Sequence, residues 1–274
     1  MKKIGFIDYY LSEWHANNYP AWFKNAAKKL GMEIDIAYAY AELDVSPLDN
    51  VTTDEWCEKF GAQRCYSIEE LCEKSDYIVI LAPSNPEVHL GYAEVALKYG
   101  KNTYIDKTFT PDYESAKKIF DIAKKYGTRF FSTSALRFAD ELTPYAEKAK
   151  SVSITGGGSN PEEYIVHQIE MLVKLVGIGA DGVVAKKTEK GYDATVSYPD
   201  GRIGKLSYAP EYPFVAEIAT ESEECTININ SPFFDNLIAD ILRFLGSGEY
   251  SFDTAQTLEI MKIREDFVKA IHSI

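Results

Sequence analysis

Lys107 follows directly on NTYID (102–106), and His167 lies in EYIVHQIE with Glu163 four residues before it and Glu170 three residues after. An ammonium at the end of a buried strand can polarise a hydroxyl or carbonyl oxygen, or donate a proton to it. The plain alternative is a solvated loop lysine. A carboxylate on either side at helical spacing favours an imidazole that takes a proton from a substrate hydroxyl, whereas a mixed charged stripe is equally the wet face of a helix. Asn160 and Glu163 also have capping-box spacing. A third place is IGFIDYYLSEWHANN, whose turn carries Asp8, Tyr9, Tyr10, Glu13 and Trp14 where nucleotide-binding folds usually put glycines against a pyrophosphate. GIGADG (177–182) fits a glycine fingerprint but follows a helix and precedes a strand, the wrong order for a phosphate turn.

The elements that must position these groups can be read from hydrophobic periodicity. Residues 3–7 form a strand, Pro20–Leu30 a helix stopped by Gly31, and 33–40 a second strand. Thr53–Phe60 reads as a short helix, and Ser67 with Glu70 opens another. DYIVILAP (76–83) is a continuous apolar run, as in a parallel strand buried on both faces. A helix over 87–99 ends at Gly100, the strand 102–106 follows, Thr110 and Pro111 open a further helix, and 128–133 is one more strand. The alternation predicts an α/β fold, a Rossmann-type doubly wound parallel sheet over residues 1–132.

Beyond it, helix 161–176 precedes strand-like pieces at 182–188, 192–198, 203–208 and 214–229, with a hairpin turn at PDG (199–201). Helices at 232–245 and 253–271 close the chain. Residues 133–274 therefore read as a second α+β domain with a mostly antiparallel sheet for substrate and oligomerisation. An uncovered face of that sheet suggests a homodimer or homotetramer.

Composition narrows the partners. The net charge of −13 repels nucleic acid and anionic membrane surfaces, leaving a small molecule. No run is long enough to span a bilayer, and MKKIGFIDYY reads as a strand, not a signal peptide. Cys57, Cys65, Cys72 and Cys225 lack CxxC spacing, which points to reduced thiols, a cytoplasmic protein and no metal.

The stretch from CEKFGAQRC to IAKKYG (57–127) resembles the amino-terminal domain of the Gfo/Idh/MocA oxidoreductases, and the resemblance extends more weakly to both ends. That family joins a Rossmann domain to an α/β domain, and many members oxidise or reduce a sugar or polyol hydroxyl with NAD or NADP. APSNPEVH is similar to its strand-end turn along the cofactor, which places Ser84, Asn85 and His89 there. IDKT resembles its Glu-Lys-Pro motif, with Asp106 for Glu, Lys107 as the catalytic-site lysine and Thr108 for proline. EYIVHQIE resembles its Asp-x-x-x-His-x-x-Asp helix, with Glu163, His167 and Glu170 in the three places.

The resemblance implies catalysis by Lys107 and His167 on a carbohydrate-like substrate, with Glu163 and Glu170 beside it. Asp8, Tyr9, Asp106 and Arg137 are implied along the cofactor. The first turn departs from the pattern, since DYYLSEWHANN replaces the glycines and Asp8 would repel a phosphate. The alternative is a binding or regulatory protein of the same fold without the dinucleotide, with Trp14 and His15 holding another ligand.

Overall fold

A computed structural model describes the whole chain, Met1–Ile274. It divides into two compact units, Met1–Ser132 with Leu237–Ser251, and Thr133–Asn236 with Phe252–Ile274. The segment that the sequence places in one block after residue 132 is thus interrupted.

In the first unit β1 (Lys2–Asp8) leads to α1 (Trp14–Leu30), β2 (Ile34–Ala41), α2 (Thr53–Phe60), β3 (Gln63–Arg64) and α3 (Ile68–Lys74). There follow β4 (Tyr77–Ile80), α4 (His89–Ala96), β5 (Thr103–Ile105), α5 (Tyr113–Tyr126) and β6 (Phe130–Ser132). All six strands run parallel, in the order β3-β2-β1-β4-β5-β6. Ile4, Phe6, Ile7, Ile78, Val79, Ile80, Tyr104 and Ile105 are fully buried, as helices on both faces require.

Two helix starts differ from the periodicity. α1 begins six residues before Pro20, which lies inside it and gives up one ladder hydrogen bond. Its first turn is held by the Glu13 side chain, a signal that apolar spacing does not carry. α5 begins at Tyr113, where Asp112 caps the amide of Ser115 at 2.7 Å.

In the second unit β7 (Ser151–Gly156) precedes α6 (Pro161–Val176), β8 (Gly182–Lys187), β9 (Tyr192–Ser197), β10 (Ile203–Tyr208), β11 (Val215–Ala219) and β12 (Glu224–Asn228). The sheet order is β12-β11-β7-β10-β9-β8, with β7 and β10 parallel and the other pairs antiparallel. β7 is absent from the sequence reading because SVSITG alternates small polar and apolar residues too weakly to stand out. Val152, Ile154, Ala194, Val196, Leu206, Ala216 and Ile218 turn inward with the α6 residues Ile165, Ile169 and Leu172. Gly204 lets α6 lie close, since a Cβ there would come within 2.4 Å of a Leu172 methyl.

α7 (Phe233–Ser247) and α8 (Ala255–His272) end the chain. From Leu237 onward α7 belongs to the first unit, where Phe244 packs edge-on against Phe131 and Asn102 Nδ2 donates to the Leu245 carbonyl at 2.9 Å. No helix is long and apolar enough to cross a membrane.

Candidate functional site

Strand order in the first sheet reverses between β1 and β4, and open α/β sheets bind ligands in the crevice at that point. Here Asp8 bridges it. Its Oδ1 accepts from the amide of Tyr9 at 2.7 Å and from the amide of Ala82 at 3.0 Å. Ala82 has φ 60°, rare for a residue with a Cβ, and the Asp8 bond ties that backbone down. Asp8 is 1% exposed and its Oδ2 has no partner.

Glu13 fills the neighbouring position. As the N-cap of α1 it accepts from the amide of His15 at 2.8 Å and from the amide of Ala16. These are the amides a helix N-terminus offers to a phosphate, and the chain's own carboxylate takes them. The His15 imidazole meets Asp106 Oδ2, while Asp106 Oδ1 accepts from Tyr104 Oη at 3.0 Å and from the Lys107 amide at 2.8 Å.

Burial pushes Asp8 well above the usual carboxylate range, and the charge of Glu13 adds to the shift. Glu13 is raised by burial too, against the pull of His15 and the capped amides. Burial would also lift Asp106, but the His15 imidazole and then the Lys107 ammonium hold it below its ordinary value. Of the three carboxylates, Asp8 is the one that burial and its neighbours shift most clearly toward the protonated form.

The other strand-end residues are placed as follows. His89 is fully buried, with Nε2 on the Leu81 carbonyl at 2.5 Å and Nδ1 on the Phe109 carbonyl at 2.8 Å, so its ring braces two loops. Ser84 is exposed, and Asn85 Nδ2 donates to Glu87 at 2.9 Å. Lys107 is 8% exposed and Tyr9 half-buried. Trp14 is 52% exposed, its ring 5.4 Å from that of Trp22.

In the second unit a network is built on α6. Glu170, 2% exposed, accepts from the Ser134 amide at 2.9 Å and from Arg137 Nε at 2.6 Å. Arg137 Nη1 donates to Gln256 at 2.6 Å, and its guanidinium lies 4.3 Å from the Phe252 ring centre. His167, half-buried, has Nδ1 2.5 Å from Ser134 Oγ and its ring edge-on to Tyr164 and Phe214.

Lys174 donates to the Arg137 carbonyl at 2.7 Å and to Thr143 Oγ1 at 3.1 Å; burial, then the Arg137 charge, brings it down to about 8. The face bearing Glu163, His167, Glu170 and Lys174 is thus partly covered, not a wet stripe, because the 3-10 turn Ala135–Phe138 packs on it. Asn160 caps α6 through the Glu162 amide at 3.0 Å, so the spacing to Glu163 is not used for capping.

Within each unit the structure brings predicted residues together: Asp8, His15, Asp106 and Lys107 in the first, and Arg137, His167 and Glu170 in the second. Glu13, Ser134 and Gln256 complete these groups and carry no motif. Glu13 stands in the opening turn that the sequence singles out, and its place directly before a helix is the signal of the cap it forms. Ser134 lies just past β6, a strand end like the others.

Comparison with known proteins follows the same lines. Residues 43–134 match the GFO_IDH_MocA family model, described as an oxidoreductase family with an NAD-binding Rossmann fold. The uncharacterized oxidoreductase YhhX of Escherichia coli is 33% identical over 60 residues, a stretch covering 22% of this chain and 17% of that relative. UDP-N-acetylglucosamine 3-dehydrogenase GnnA from Acidithiobacillus ferrooxidans superposes with a TM-score of 0.78 at 14% identity, covering 99% of this chain and 98% of its own. The apo scyllo-inositol dehydrogenase from Lactobacillus casei gives 0.77 at 15% identity, covering 100% and 96%. The fold is that of NAD(P)-binding oxidoreductases.

Proposed function

We propose that this chain is an oxidoreductase of the Gfo/Idh/MocA kind acting on a CH–OH group of a sugar- or polyol-like molecule, with Lys107 and His167 as its reactive side chains. The observation that carries this reading is the retention of both groups in matching motifs, in a chain that shares its fold with sugar and inositol dehydrogenases.

In that family NAD or NADP accepts or supplies the hydride. The first turn here does not fit the pyrophosphate of such a cofactor in its usual seat, because Glu13 occupies the α1 amides and Asp8 spans the crevice. The proposed reactive side chains support proton chemistry: an imidazole at His167 to exchange a proton with a ligand oxygen, and an ammonium at Lys107 to stabilise charge on one.

A second reading, a binding or regulatory protein that has lost the dinucleotide, is favoured by that same Glu13 cap. One titration separates them. Wild-type protein is titrated with NADH and NADPH by nicotinamide fluorescence, denatured protein is checked for released dinucleotide, and sugars and polyols are then screened. Binding followed by turnover supports the oxidoreductase, and alanine at Lys107 or His167 should then lower turnover by roughly 10²–10⁴-fold. Sugar binding without dinucleotide selects the second reading. Near wild-type turnover in both variants removes Lys107 and His167 from the chemistry.

A further inference from the structure

His15 belongs to the opening turn, yet its side chain meets a residue 91 positions further along the chain. It is the second residue of α1, and its amide is fixed by the Glu13 cap at 2.8 Å. Tyr19, four residues on and so on the same helix face, is fully buried with its ring stacked on the imidazole, 5.1 Å between centres. Held in this plane, the imidazole links the β1 end of the sheet to the β5 end, with β4 between them, and its Nδ1 meets Asp106 Oδ2. Burial works against the charge of Asp106, but the His15 imidazole holds the group below its ordinary value. At neutral pH Oδ2 thus offers only lone pairs, and Nδ1 carries the hydrogen. The other oxygen, Oδ1, accepts from the Lys107 amide at 2.8 Å and from Tyr104 Oη at 3.0 Å.

We propose that His15 is a positioning residue for Lys107: its imidazole fixes the Asp106 carboxylate, and that carboxylate fixes the Lys107 backbone just past β5. The inference rests on the reading in which Lys107 touches the ligand. It gives the opening turn a use of its own, since where a glycine turn lets a phosphate approach, this one sends a side chain to the lysine loop. On either side of Lys107 the backbone is tied to β4 and its exit turn, by the Asp106 amide on the Ile80 carbonyl at 2.9 Å and the Thr108 amide on the Pro83 carbonyl at 3.3 Å. The Lys107 amide is therefore the link that depends on the Asp106 side chain. Removing His15 leaves a buried carboxylate short of a donor, so the group turns away or takes up a proton. Either response loosens its hold on the Lys107 amide, because a neutral carboxyl is a poorer acceptor than an ionised one.

The test needs no ligand. Amide hydrogen exchange of the full chain is followed residue by residue by NMR in the wild type, in His15→Phe, which keeps a ring for Tyr19 and loses the nitrogen, and in His15→Asn, whose side-chain amide returns an N–H near the place of Nδ1. In His15→Phe the Lys107 amide should exchange roughly tenfold faster, as loss of one buried hydrogen bond implies, while the Asp106 amide keeps its wild-type rate. His15→Asn should restore the protection. Equal acceleration of both amides makes His15 a plain packing residue and overturns the inference, and so does an unchanged Lys107 amide. A Lys107 amide that is unprotected in the wild type overturns it even where a variant fails to fold. Where the sugar screen finds turnover, His15→Phe should lower kcat roughly tenfold and have no further effect in a Lys107→Ala background. An effect of equal size in both backgrounds overturns the positioning role. A screen that finds no substrate overturns the functional reading, and the exchange rates then decide the His15 brace on their own.

Discussion

Asp8 holds its proton to a higher pH in the folded protein than in the unfolded chain. Its folded pKa is raised, so the native state binds more protons than the unfolded state above the ordinary carboxylate value, and this contribution to stability falls as pH rises from there. Asp8→Asn keeps an acceptor for the Tyr9 and Ala82 amides while removing the charge. It should match wild type near pH 3 and exceed it at neutral pH by about 1 kcal/mol, read from urea denaturation at both pH values. Lower stability at neutral pH would mean the ionised carboxylate is needed. Lys174 titrates the other way. Its folded pKa of about 8 lies below the ordinary lysine value of 10.5, so the unfolded state binds more protons between them and stability rises with pH across that window. Lys174→Met should flatten that rise, measured as the wild-type-minus-variant difference at pH 7.5 and pH 10.

At the scale of elements the decisive feature is how α1 begins. A cap carboxylate at a helix N-terminus contributes about 1 kcal/mol, so Glu13→Ala should lower unfolding free energy by that order. Glu13→Ser keeps a capping oxygen and removes the charge, so it should retain most of the stability. If the carboxylate is what closes the seat, this variant binds NADH more tightly than wild type, with fluorescence titration as the measure. Equal affinity in the two proteins would place the obstacle elsewhere in the turn. α6 shows a related economy of groups: Glu170, buried on the helix, orders both the Ser134 amide and Arg137.

For the whole molecule, the net charge of −13 and the uncovered sheet face of the second unit set the terms of association. That face presents Ser151, Ser153, Lys205, Glu217 and Thr226, groups that stay hydrated in a monomer. We propose a homodimer through it, held by polar contacts. Such a dimer should dissociate on dilution and at high salt, followed by light scattering. A monomer at every concentration refutes it.

Element types and the doubly wound alternation were legible in residues 1–132 because apolar runs buried on both faces have few alternatives to parallel strands. The proposed reactive positions Lys107 and His167 stand out in the sequence by position, one at a strand end and one at helical spacing from two acids. Tertiary structure decided the rest. That Glu13 turns back onto its own helix, that α7 returns to the first unit, and that Ser134 meets His167 depend on contacts between residues whose separation in sequence, or whose lack of periodicity, leaves no local trace. A side chain's hydrogen-bond partner is selected by which groups folding removes from water together, and spacing along the chain does not encode that choice.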